Sequence, residues 1–108
     1  MEADSVTFGL VVRFTVRLGA EAEFDALVKR TVALIRVQEP GTLIYNCHHV
    51  DGVDRQWIFY ELYRDLAAFE THEQQEHVKR FLAEREPLLE SKEVRFLKPG
   101  YTTVDLAE

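Results

Sequence analysis

The sequence is poor in residues that staple, kink or loosen a chain: one cysteine, three prolines and five glycines among 108 residues. One cysteine cannot build a disulfide framework, and so little proline and glycine, with no biased tract, excludes collagen-like and low-complexity chains. Long apolar runs are missing too. The longest, Val32–Ile35 and Trp57–Tyr60, are broken by Arg36 and Glu61, far short of the roughly 20 residues a bilayer helix needs. Basic side chains number 13 against 19 acidic ones, for a net charge of −6. They are also scattered rather than gathered into the basic surface that phosphates require. The start, Met1-Glu2-Ala3-Asp4, is acidic where a secretory signal is basic. The expectation is a single domain over residues 1–108, located in the cytoplasm, with no nucleic-acid and no membrane partner.

What is present is periodic. Val6, Phe8, Leu10, Val12, Phe14, Val16 and Leu18 are apolar at every second position, a strand with one apolar face that Gly19 ends. From Ala22 the period changes: Phe24, Leu27, Val28, Thr31, Leu34 and Ile35 form one helical stripe running to about Gln38, stopped by Pro40-Gly41. A second strand follows over 42–50, with Leu43, Tyr45, Cys47 and His49 on one face and Ile44, Asn46 and His48 on the other. Asp51-Gly52 opens a hairpin loop, and residues 56–63 return as a third strand with Trp57, Phe59, Glu61 and Tyr63 on a common face. Asp65 is a candidate N-cap for a short helix that turns Leu66 and Phe69 inward. A second helical stretch carries Val78, Phe81, Leu82, Arg85 and Leu89, with Pro87 ending or kinking it near Glu86. Residues 93–98 read as a short last strand before Pro99-Gly100, and residues from about 100 as a C-terminal arm.

Strand, helix, strand, strand, helix pair, strand is a split β-α-β arrangement twice over. The fold class expected is α+β, ferredoxin-like, with a four-stranded antiparallel sheet and both helical layers on one of its faces. The other face would carry Val11, Ile44, Ile58, Tyr60 and Leu62, too apolar to remain in water, so a homodimer through the sheet face is expected.

Three features occur in a fixed order: Glu39-Pro40-Gly41 before the second strand; Tyr60-Glu61-Leu62-Tyr63-Arg64-Asp65 at its far partner; then Phe69-x-x-His72 and His77-x-x-x-Phe81 on the helices. This ordered set resembles the antibiotic biosynthesis monooxygenase family over nearly the whole chain. The resemblance implies a dimeric α+β barrel with a pocket in each protomer between helices and sheet. It also implies a monooxygenase that oxidises small quinols, anthrones or other electron-rich aromatics with O₂ and without a bound cofactor. The substrate, once deprotonated, is itself the electron donor to oxygen.

The residues support that chemistry in different degrees. Glu61 among aromatics on its strand face would be held toward its neutral form by desolvation, unless it serves only as an ion pair or cap. His72 lies three residues after Phe69, so its imidazole would reach the core-facing side and could take a proton; His77, one turn before Phe81, is the weaker candidate. Either Glu61 or His72 would act as base, His77 and Tyr63 would hold the resulting oxyanion, and Tyr45, Phe69, Phe81 and Trp57 would line the pocket where they are not simply core.

No metal is expected. His72 and His77, five apart, point about 140° from each other on a continuous helix and could share an ion only if that helix breaks between them. Haem is disfavoured because Leu82, Val12 and His72 stand where haem-degrading relatives of this fold carry other residues. Cys47 has no base beside it and reads as a small core residue. Two further readings stay open: a cofactor-free isomerase or cyclase on the same scaffold, and a dimeric ligand-binding module without catalysis.

Overall fold

The computed structural model describes residues 6–103. The acidic start at Met1–Asp4 and the arm beyond residue 103 lie outside the described residues. The elements run β1 (Phe8–Val16), α1 (Glu21–Gln38), β2 (Thr42–His49), β3 (Gln56–Tyr63), α2 (Leu66–Gln74), α3 (Glu76–Arg85) and β4 (Leu89–Leu97). The sheet order is β2-β3-β1-β4 with every neighbouring pair antiparallel. This is the α+β, ferredoxin-like split β-α-β arrangement read from the sequence.

Alternation decides what each face does. On the inner face Leu10, Val12, Phe14 and Val16 of β1 meet Trp57, Phe59 and Tyr63 of β3, and all are buried under α1 and α3 with Phe24, Leu27, Val28 and Phe81. Phe14, Phe24, Phe59 and Phe81 pack as tilted, edge-on and, for Phe59 with Phe81, stacked rings with centroids 4.8–6.4 Å apart, arrangements that ring quadrupoles favour over a face-to-face sandwich. Burying each phenylalanine contributes about 1.5–3 kcal/mol of transfer free energy. The helices do not reach across the whole sheet. At edge strand β4, Val94 and Phe96 share the inner face with Val12 and Leu10, yet stay 40% and 62% exposed, so a cleft opens between β4 and the helix pair.

Several boundaries differ from the sequence reading. β1 runs only from Phe8 to Val16, leaving Val6 before it and Leu18 after it 51% and 83% exposed; at the far end Leu18-Gly19 turns toward α1 with Gly19 at φ 90°. Leu89 is not the last turn of a helix. Pro87 cannot donate to a continuing helix, so α3 gives way to a 3-10 turn over Glu86–Leu88, and Leu89 pairs opposite Val16 at the start of a β4 longer than expected. Leu66 faces water at 52% exposure; Asp65 does cap α2, its carboxylate accepting the Ala68 N–H at 2.8 Å. Leu43 leaves the inner face because a bulge lies between Thr42 and Ile44 in the β2–β3 ladder. Thr42, not Leu43, therefore stands opposite Tyr63.

The outer sheet face carries Val11, Ile44, Ile58 and Tyr60 half-buried beside Leu62 and exposed Arg13. No helix covers it. A groove of about 480 Å³ lies along it, lined by Ile44, Tyr60, Leu62, Leu97 and the segment through Tyr101.

Candidate active site

The first polar feature of the interior is a carboxylate at the end of a helix. Glu39 is the C-cap of α1, where the helix dipole disfavours negative charge, and it is only 8% exposed. Three donors offset that placement. Thr42 Oγ1 donates to Glu39 Oε1 at 2.7 Å, His72 Nδ1 meets Oε1 at 2.6 Å, and His77 Nε2 meets Oε2 at 2.5 Å. Burial opposes ionisation of Glu39, but the hydrogen bonds from His72, Thr42 and His77 outweigh it and hold the carboxyl below its usual range.

An ionised carboxylate only accepts, so the imidazole nitrogens that face it carry the protons. Nδ1 of His72 therefore carries a proton, and its Nε2 has no hydrogen-bond partner among the described residues.

Local structure brings the two histidines together. Gln75 is at once the C-cap of α2 and the N-cap of α3, with extended backbone at ψ 140°. This break undoes the divergence that five residues of continuous helix would impose, and both rings turn to one carboxylate. The bulge at Leu43 supplies the third donor by placing Thr42 on the inner face.

His72 also borders a cavity of about 160 Å³ between the helix pair and the β4 side of the sheet. Tyr45, Glu61, Glu73 and Arg85 supply its other polar groups, and Leu10, Val12, Phe69, Val78, Phe81, Leu82, Val94 and Phe96 its apolar wall. Burial raises the pKa of Glu61, which accepts a 2.7 Å hydrogen bond from Tyr63 Oη that partly offsets the effect. Burial raises the phenol of Tyr45 as well. Behind Glu39 a second cavity, about 120 Å³, is lined by Gly41, Thr42, Arg64 and Thr71, and again by His72.

Of the residues singled out from sequence, His72, Glu61, Tyr45, Phe69 and Phe81 line the larger cavity. His77 does not; it stands behind His72 on the far oxygen of Glu39. Tyr63 is wholly buried beneath Glu61, and Trp57 lies elsewhere in the core against Phe24 and His49, with ring centroids 5.4 and 3.9 Å away. Burial and the nearby Glu61 push the Cys47 thiol up to about 12, so it is a poor nucleophile. Among the described residues no three histidine, cysteine or carboxylate side chains are arranged to hold a metal ion.

Two cavity-related residues were not weighed from sequence, although each left a trace there. Glu39 sits against the dipole of its own helix, and Arg85 interrupts the apolar stripe of α3.

Residues 7–84 match the sequence model of the family described as antibiotic biosynthesis monooxygenase. The chain belongs to that family. Among solved structures, a Pseudomonas aeruginosa protein is 27% identical, with a TM-score of 0.82 over 93% of this chain and 100% of that one. A Caulobacter crescentus protein assigned to the same family is 21% identical, with a TM-score of 0.84 over 90% and 92%. One from Mycobacterium tuberculosis is 24% identical, with a TM-score of 0.81 over 91% and 99%. At these identities the latter two speak to the shared fold. No curated protein matches the chain. The fold and family expected from sequence therefore hold, and no helix among the described residues is long and apolar enough to cross a membrane.

Proposed function

We propose that the chain is a monooxygenase that needs no bound cofactor, acting in the cytoplasm as a homodimer joined through the outer sheet face, and oxidising a small aromatic quinol- or anthrone-type substrate with O₂. The observation that carries this reading is the pair Glu39–His72: a buried carboxylate takes the proton-bearing Nδ1 of a ring that also lines a largely apolar cavity. A base so oriented needs no rearrangement to take a proton.

In the reaction, His72 Nε2 removes the acidic proton of the bound phenol or carbonyl compound, and Glu39 stabilises the imidazolium that forms. The resulting carbanion or phenolate gives electrons to O₂. One oxygen atom becomes a carbonyl in the product, the other leaves as water, and the substrate loses two hydrogens, so no external reductant is required. Glu61, kept neutral to higher pH by burial, and Tyr45 offer hydrogen bonds to the developing oxyanion.

The test is oxygen uptake by the purified protein with a panel of reduced quinones and anthrones under ¹⁸O₂. One labelled oxygen in the product supports the oxygenase reading; consumption without label in the product, or none at all, removes it. His72→Ala should lower turnover by about 10²–10⁴-fold if it is the base. Two proton-transfer groups on one cavity, His72 and Glu61, also suit an isomerase that shifts a proton next to a carbonyl. That reading predicts a product of unchanged mass.

A further inference from the structure

Arg85 is the cation on the wall of the larger cavity. Its guanidinium lies 5.1 Å from the centre of the Phe14 ring and 5.5 Å from that of Phe81, and its Nε is buried with no hydrogen-bond partner among the described residues. The exposed Arg13, Arg30, Arg80 and Arg95 each rest on a glutamate, where pairing contributes little. Arg85, where burial makes charge costly, has no carboxylate within ion-pair distance among the described residues. Glu61 and Glu86 act on it only from further away, and burial lowers its pKa. Contact with two aromatic faces offsets part of that cost; a half-buried guanidinium beside an open cavity is otherwise left, among the described residues, without the planar anion whose geometry it matches.

The cavity also has a size. Its volume of about 160 Å³ is close to the roughly 150 Å³ that accommodates one benzene, and well below the roughly 300–1,000 Å³ of sites for larger ligands. One six-membered ring with a small substituent fills it; three fused rings would extend past its mouth.

We propose that this cavity binds a single-ring organic carboxylate, its carboxylate on Arg85 and its ring among Phe69, Phe81, Val94 and Phe96, with the edge of the ring toward His72. This deepens the reading above and rests on the same cavity being the substrate site. It narrows that substrate from polycyclic anthrones to a one-ring phenol or enolisable acid bearing a carboxylate. The other titratable groups facing the site are Tyr45 from β2, Glu61 from β3, and His72 and Glu73 from α2. Glu73 is exposed to water, which screens it, and Glu61 opposes the ligand only once ionised, so binding weakens as pH rises through that ionisation.

The test is calorimetric titration of the full chain at pH 6 with benzoate, with the neutral isostere benzamide and with anthracene-9-carboxylate. Benzoate should bind saturably and at least about tenfold more tightly than benzamide, as a charge-assisted contact implies, and anthracene-9-carboxylate should bind more weakly than benzoate. Arg85→Gln should weaken benzoate about 10- to 100-fold and benzamide by a much smaller factor. Equal affinity for benzoate and benzamide in the unaltered protein overturns the proposal without recourse to any variant. So does tighter binding of the three-ring acid, no binding of benzoate, or an Arg85→Gln protein that holds benzoate as well as before. None of these titrations involves O₂. Anion-selective binding with no oxygen uptake on any substrate would remove the oxygenase reading alone, and ¹⁸O incorporation into neutral quinols with no preference for benzoate would remove this one alone.

Discussion

Glu39 shows how one residue gathers three segments: it closes α1, and its two oxygens hold the start of β2, the end of α2 and the start of α3. Glu39→Gln keeps the shape but offers one acceptor oxygen and one N–H₂ group to two ring donors, so a buried donor is left facing a donor. The expected cost is about 1–3 kcal/mol in urea unfolding, with ¹⁵N shifts of His72 reporting loss of the fixed Nδ1 proton. Glu39 and Glu61 also impose opposite pH dependences. The folded pKa of Glu39 is lowered, so its contribution is present above the ordinary carboxyl range and is lost as pH falls through the lowered value. The folded pKa of Glu61 is raised, so the native state binds the proton more tightly, and stability falls as pH rises from the ordinary carboxyl range to the raised value. Glu61→Gln retains an oxygen for the Tyr63 hydroxyl and removes that fall. Denaturation midpoints measured across pH should show its advantage over the parent growing through this window and then levelling; a difference independent of pH would contradict the assignment.

At the scale of elements, the site depends on irregularities rather than on regular structure. A continuous α2–α3 helix would carry His77 away from Glu39, and an unbulged β2 would point Leu43 rather than Thr42 inward. Gly41 belongs to the same corner: a Cβ there would stand 2.8 Å from Ala68 Cβ and 3.2 Å from the Arg64 guanidinium, closer than unstrained packing permits. Gly41→Ala should therefore destabilise by about 1–3 kcal/mol as β2 is pushed from α2. Adding Ala68→Gly should restore much of the packing loss. A double-mutant cycle in chemical denaturation reads the coupling directly, and additive effects would show that the two residues do not touch.

At the scale of the molecule, the inner face of the sheet is half roofed, and no helix among the described residues roofs the outer face. The open β4 side makes the cavity and its mouth at Phe96. The outer face, with Val11, Ile44, Ile58 and Tyr60, is the surface through which we expect a second copy to dock. Sedimentation at micromolar concentration should report a dimer, and Ile58→Glu, a charge at the middle of that face opposite Arg13 and His48, should dissociate it while the far-ultraviolet spectrum stays that of the folded chain. A stable monomer of the unaltered protein at that concentration would refute the interface.

Periodicity determined the element order and, outside the bulge at Leu43, the inner and outer faces of the strands and thus the fold, because the period of a strand or helix is a local property that each buried segment must satisfy. It carried Glu61 to the inner face and Phe69 and His72 to the same side of α2 for the same reason. It could not carry Glu39, Thr42 and His77 to one point, since that meeting rests on a helix break at Gln75 and a bulge at Leu43, each a departure from period. Nor could it leave Arg85 without a carboxylate partner among the described residues. Whether a charge is paired depends on which side chains arrive from distant strands, and that was decided only when β4 paired with β1 and left the cleft beside it open.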